Sequence, residues 1–179
     1  MTKNPILDEL VYDRTSGSLS YKGVRYLLIR PETIAGFQRA LFELYGEEIS
    51  SRLFQGGFTG GSLSAKKYRD IHGDSDQGII DFMMKMGNQI GWGHFSLDKY
   101  DPDLKYLGVV VEHSPFAEAY GDSPHAVCHI VRGVIAGLAS VLFGDSCTAD
   151  ELECRARGDD RCRFAAVIGK KLQGKRSEG

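Results

Sequence analysis

Apolar positions along the chain fall into stretches of two different periods. SLSYKGVRYLLIR (residues 18–30) carries two runs rich in aromatic, branched and apolar residues on either side of Lys22-Gly23, the pattern of a β-hairpin. Pro31 then suits a first helical position. In PETIAGFQRALFELYG the apolar residues Ile34, Phe37, Leu41 and Tyr45 recur at three and four, which predicts a helix burying that face and ending at Gly46. Residues 47–71 predict a second helix, interrupted by Gly56, Gly57, Gly60 and Gly61. Each glycine costs a helix about 1 kcal/mol, so the four mark a bend or close backbone approach to another element. A phosphate loop would also need the Lys-Ser/Thr that is missing here. A third helix follows Asp74-Ser75-Asp76 and places Ile80, Met83, Met84 and Ile90 largely on one side.

The period then becomes strand-like. HFSLDKYD (94–101) and LKYLGVVVEH (104–113), joined by Pro102-Asp103, predict a second hairpin, and HSPFAEAYGDSP reads as irregular. Ser123-Pro124 is expected to open a long helix, with Val127, Val131, Val134, Leu138 and Leu142 on its apolar face and Gly144 at its end. Gly133, Ala136, Gly137 and Ser140 leave part of that helix smooth enough for close packing. A last hairpin contains ELECRARGDDRCRF (151–164), and residues 169–179 form a charged tail expected to be disordered. Successive hairpins imply antiparallel pairing, so the fold class is α+β, with helices against an antiparallel sheet, in one domain over residues 1–168.

Composition removes several function classes. With a formal charge of -2 and 26% charged residues the chain has no field suited to nucleic acid. No apolar run reaches the roughly 18 residues of a membrane span, and no cationic, apolar leader opens the chain, so a cytoplasmic location is expected. In that reducing setting four cysteines point to metal or catalysis rather than to disulfides.

Strand alternation gives the cysteines a geometry. In LECRAR, Leu152, Cys154 and Ala156 would share one face; in RCRFAA, Cys162, Phe164 and Ala166 would. A turn near Gly158 would set Cys154 opposite Cys162, with Cβ atoms roughly 4.5 to 5.5 Å apart, close enough to share an ion. Cys128, expected in the second turn of the long helix, is a third sulfur. Glu151, Cys147 and His125 compete for a fourth position, and the soft donor set suits Zn²⁺. Paired buried thiols without any ion remain the plain alternative.

The pattern Cys128 followed by R-G-x-x-A-G-L-x-S, then E-x-E-C-x-A-x-G-D-x-x-C-R-F from Glu151 to Phe164, resembles the vinyl-4-reductase domain family of hydrocarbon-binding proteins. LFQGGFTGG and IGWGHFSL are similar to its middle region, so the resemblance covers roughly residues 20–168. It implies an antiparallel sheet with helices, a fold shared with Golgi transport-particle subunits and haem nitric-oxide sensors, and a homodimer. By position it also implies zinc held by Cys128, Glu151, Cys154 and Cys162, with Cys147 a bystander and His125 a neighbour. Related aromatic-responsive activators continue into an ATPase module and a DNA-binding helix-turn-helix; this sequence ends after the hairpin, so direct transcriptional control is not expected. Val111 and Glu112 stand where those sensors have a ligand-contacting tryptophan, so phenol specificity is not carried over, and the haem relatives' Tyr-x-Ser-x-Arg is lacking.

Such a ligand set leaves no open coordination position, so the zinc is expected to be structural. No serine elbow, dinucleotide fingerprint or HExxH appears, and no catalytic residue is assigned. What remains is a pocket for an apolar or aromatic small molecule, with Phe82, Met86, Trp92, Phe95, Tyr106, Phe116 and Tyr120 as candidate lining residues. His113 could serve as its polar anchor or stand as a loop histidine. The function expected is small-molecule binding or sensing. The alternatives are an enzyme or accessory in (bacterio)chlorophyll vinyl reduction, as the family name implies, and a non-catalytic scaffold like the transport-particle subunits.

Overall fold

Two antiparallel sheets flank a pair of crossed helices in the computed structural model, which describes residues 4–73 and 75–169. A short helix α1 (Pro5–Asp8) leads into the smaller sheet: β1 (Val11–Asp13), β2 (Ser18–Tyr21) and β3 (Val24–Tyr26), in that order. Lys22 (φ 47°) and Gly23 (φ 75°) are both left-handed, the tight turn whose twist matches a two-residue hairpin. The expected hairpin is therefore present but shorter. Pairing stops at Leu19 with Tyr26, and Leu27, Leu28 and Ile29 run on past it, exposed.

Helix α2 (Pro31–Tyr45) starts at its proline and stops at Gly46, whose N–H closes on Phe42 O at 2.8 Å. Its buried face is not the expected one. Ala35 and Gln38 are buried while Phe37 and Tyr45 stay in solvent, because polar bonds set the docking. Gln38 Nε2 donates to Val127 O at 3.0 Å, and the Arg39 guanidinium donates to the carbonyls of Tyr120 and Ala119.

Helix α3 (Glu48–His72) runs unbroken through all four glycines. The reason lies in α6 (His129–Phe143), which crosses it backbone to backbone. A Cβ at Gly57 would stand 2.1 Å from Ile130 O and one at Gly61 2.3 Å from Val134 O; from the other side, Gly133 faces Phe54 O at 2.1 Å and Gly137 faces Phe58 O at 2.5 Å. No side chain fits there, so the glycines are what allow the crossing. Gly56 and Gly60 meet nothing.

Helix α4 (Asp76–Gln89) is capped by Ser75, which accepts from Gly78 N–H, and buries Ile79, Ile80, Met84 and Met86. The main sheet comprises β4 (His94–Asp101), β5 (Tyr106–Glu112), β6 (Cys147–Glu153) and β7 (Cys162–Ile168), in the order β4-β5-β7-β6 and antiparallel throughout. The run from Leu107 to Val111 is buried on both faces. Two expectations change here. The segment read as irregular contains helix α5 (Pro115–Tyr120), with Pro115 in its first turn. Helix α6 begins at His129 rather than after Ser123-Pro124, because Ser123 N–H is taken by Ala156 O at 2.8 Å and its hydroxyl accepts from His125 N–H. Residues 124–128 are thereby drawn across the closing hairpin, and Cys128 becomes the N-cap residue of α6 instead of a second-turn residue. Among the described residues no helix is long and apolar enough to cross a membrane. The tail expected to be disordered lies, from residue 170 on, outside the described residues.

Candidate metal centre and ligand cavity

Cys128, Glu151, Cys154 and Cys162 are all buried, and their ligand atoms lie within 4.8 Å of one another. Cys128 comes from the N-cap of α6, Cys162 opens β7, and Glu151 and Cys154 come from the end of β6. Residues three apart on a regular strand face opposite ways. Here the register shifts between Glu151 (opposite Phe164) and Glu153 (opposite Arg163), a β-bulge that puts one extra residue on β6. Glu151 and Cys154 therefore both point inward and Leu152 is pushed out, 46% exposed, whereas simple alternation had grouped Leu152 with Cys154.

Cys154 is also not the cross-strand partner of Cys162. Val111 is, because β6 ends at Glu153 and the chain enters a 3-10 turn over Arg155–Arg157 closed by Gly158 at φ 97°. The sulfurs meet from different elements instead. Asp159, a residue the sequence did not single out, holds the turn by accepting Cys154 N–H at 2.7 Å and the Arg157 guanidinium at 3.0 Å.

The cluster has the chemistry of a cation site. Cys128 Sγ and Cys162 Sγ are 3.7 Å apart, too far for a disulfide. That separation fits the edge, about 3.8 Å, of a tetrahedron of thiolates around zinc with Zn–S bonds of about 2.3 Å. One Glu151 oxygen, Oε2, accepts Cys128 N–H at 2.9 Å; the other, Oε1, is buried without a partner. A buried, unpartnered carboxylate oxygen beside three thiols is an acceptor that a cation would satisfy.

The proton affinities agree. Cys154 is held far below the ordinary thiol range by hydrogen bonds from Cys128 and Cys162, while Cys128 is pushed well above it by those same thiol neighbours and by burial. Cys162 is pulled down by Cys128 but pushed further up, to about 12, by Cys154 and burial. Glu151 is pushed up to about 8, chiefly by burial and then by the Cys154 charge. The cluster by itself thus gathers its negative charge on Cys154; holding four anionic donors together requires a divalent ion.

The two rival fourth ligands are elsewhere. His125 is exposed and 3.7 Å from Glu47, and Cys147 is buried at the start of β6 with its thiol toward Asp145 O. His113 is likewise exposed, 3.8 Å from Glu118.

A second feature is an apolar cavity of about 190 Å³ between α3, α4, α6 and the smaller sheet. Met86, Trp92 and Phe95, all named from the sequence, line it, joined by Tyr26, Tyr68, Met83, Ile90 and Val134, which were not. Gly87 admits the Phe95 ring, since a Cβ there would be 2.7 Å from it. The polar groups in the wall are Ser64 and the hydroxyls of Tyr26 and Tyr68, the two hydroxyls 3.1 Å apart. Tyr68 stands in the charged run KKYRD, which concealed it; only the close approach of α3 and α4 buries its ring.

Four candidates lie outside that wall. Phe82 packs on Tyr68 with ring centroids 4.0 Å apart, and Phe116 stands behind Trp92, edge to face at 5.0 Å. Tyr106 begins β5 under Lys99, and Tyr120 lies under Arg39. The cavity and the cysteine cluster share one row of the sheet: Phe95 pairs with Val111, and Val111 with Cys162.

Residues 107–168 match the vinyl-4-reductase domain family. Phenol regulator MopR of Acinetobacter guillouiae is 24% identical across 93% of this chain, which spans 31% of that relative's length. Among solved structures, the phenol-responsive sensory domain of the transcription activator PoxR with phenol superposes with a TM-score of 0.77, at 21% identity, covering 90% of this chain and 86% of that one. A trafficking protein particle complex subunit 3 from Naegleria fowleri, covalently bound to palmitic acid, gives 0.56 at 15% identity, covering 80% and 98%. The likenesses establish the expected fold, helices with antiparallel sheets.

Proposed function

The chain carries a vinyl-4-reductase domain over residues 107–168, and from that premise we propose that it is a small-molecule-sensing domain whose C-terminal hairpin is tied to α6 by a structural zinc ion. The observation that carries the ligand reading is the cavity: about 190 Å³, apolar, with a few hydroxyls in its wall. Engineered cavities of about 150 Å³ take up benzene, so this volume suits a single-ring compound, with the Tyr26–Tyr68 pair available to a ligand hydroxyl. The phenol-regulator relatives support the same class of ligand. Zinc would be held by Cys128, Glu151, Cys154 and Cys162 and would supply folding free energy, with no coordination position left for catalysis. Unoxidised cysteine ligands suit a reducing compartment such as the cytoplasm.

Trp92 is the chain's only tryptophan and lies in the cavity wall, so its fluorescence reports occupancy directly. Titration with phenol and with toluene is expected to give a saturable change. Tyr68→Phe should weaken phenol by up to about tenfold, the worth of one hydrogen bond, and leave toluene unaffected. No saturable response to any single-ring compound, in protein that retains its metal, would reject the ligand reading. Equal losses for both ligands would reject the role of the tyrosine pair.

A further inference from the structure

The face of α2 that is most apolar in sequence is the face the domain leaves uncovered. Phe37 is 58% exposed and Leu44 74%, with Ile34 and Leu41 half-buried beside them. The spacings of three, four and three put these four side chains on one stripe, turned away from buried Ala35 and Gln38. Leu27, Leu28 and Ile29 lead into the helix equally bare, and Tyr45 closes it. Those six strongly exposed side chains, Phe37 and Leu44 among them, present on the order of 800 Å², about one partner's share of a standard interface.

We infer that the α2 stripe pairs antiparallel with the α2 stripe of a second copy of this chain, about a two-fold axis level with residue 39. The occupant follows from the stripe's symmetry. Its apolar positions 34, 37, 41 and 44 read the same from either end, so rotation sets Ile34 of each copy against Leu44 of the other, and Phe37 against Leu41. That is the self-complementarity an isologous interface needs.

Charge selects the same direction. Arg25 and the Arg30–Glu32 pair stand at the N-terminal end, while Glu43, Glu47 beside His125, and the Glu48–Arg52 pair stand at the other. Antiparallel pairing brings Arg30 of one copy toward the acidic end of the other and opposes the helix dipoles favourably; parallel pairing would bring like ends together. The inference does not rest on the ligand reading.

Sedimentation equilibrium of the full chain tests it. The wild type should be a dimer. Phe37→Arg and Leu41→Glu, made separately, should each weaken self-association by at least about tenfold, as removal of a central apolar anchor does. Mixing the two should restore a dimer, since the new guanidinium at position 37 of one chain then meets the new carboxylate at position 41 of the other. Unchanged far-ultraviolet circular dichroism and zinc content in both variants separate lost association from lost folding. A wild type that stays monomeric at ~100 μM, or a dimer that neither variant weakens, overturns the inference. So does a mixture of Phe37→Arg and Phe37→Glu that associates where the first mixture does not, because that result means parallel pairing.

Discussion

Cys162→Ser is expected to release the bound zinc and lower the melting temperature by about 10 °C or more. Cys162 is fully buried at the start of the central strand β7, its thiol 3.7 Å from Cys128 and within reach of Arg155 N–H at 3.4 Å. Replacing one soft ligand leaves Glu151, already lacking a partner for one oxygen, buried among thiols with no ion to compensate them. An uncompensated buried charge costs about 3 to 5 kcal/mol, and for a chain of this length each kcal/mol moves the melting temperature by about 2 to 4 °C. A strong chelator added to the wild type should reproduce the loss. Cys147→Ser is the control: it is buried too, but its thiol points to Asp145 O outside the cluster, so it should keep a full equivalent of zinc. Zinc content by mass spectrometry and thermal melts read both outcomes. A Cys162→Ser protein with one zinc and an unchanged melting temperature would dismiss the proposed centre.

The second large effect lies at the α3–α6 crossing. Gly133→Ala should cost about 3 kcal/mol or more, because its methyl group would stand 2.1 Å from Phe54 O and 2.7 Å from Phe58 N, backbone atoms that cannot move aside without separating the two helices. Gly57→Ala meets Ile130 O at 2.1 Å and should behave alike. Gly56→Ala, one residue away, meets nothing and should raise stability by up to about 1 kcal/mol through helix propensity alone. Denaturant titrations of the three variants check this. Equal effects at Gly56 and Gly57 would mean that the helices do not touch there.

These two predictions differ in how far the sequence led to them. The glycine pattern in α3 and the smooth face of α6 announced a close approach, and the soft donors around Cys154 and Cys162 announced a metal. Both readings rest on residue chemistry that has few other uses. The face of α2 was read wrongly because periodicity says which side chains share a side, not which of two sides meets the core. Ala35 and Gln38 went inward because Gln38 could pair with Val127 O in the segment leading to α6. The start of α6 was misplaced for a similar reason: Ser123 resembles a cap, but its N–H is spent on Ala156 of the distant hairpin.

The chain's own order of residues determined the succession of hairpins and helices, the Lys22-Gly23 turn, and the four side chains able to bind a soft cation. These follow from local backbone preference and ligand chemistry, which act over a few residues. Tertiary structure decided what depends on distant segments meeting. The bulge at Leu152 turns Glu151 inward beside Cys154, and the segment 124–128 delivers Cys128 to both. The close crossing of α3 and α6 likewise sets Gly61 and Val134 side by side in a cavity wall that no local pattern encodes.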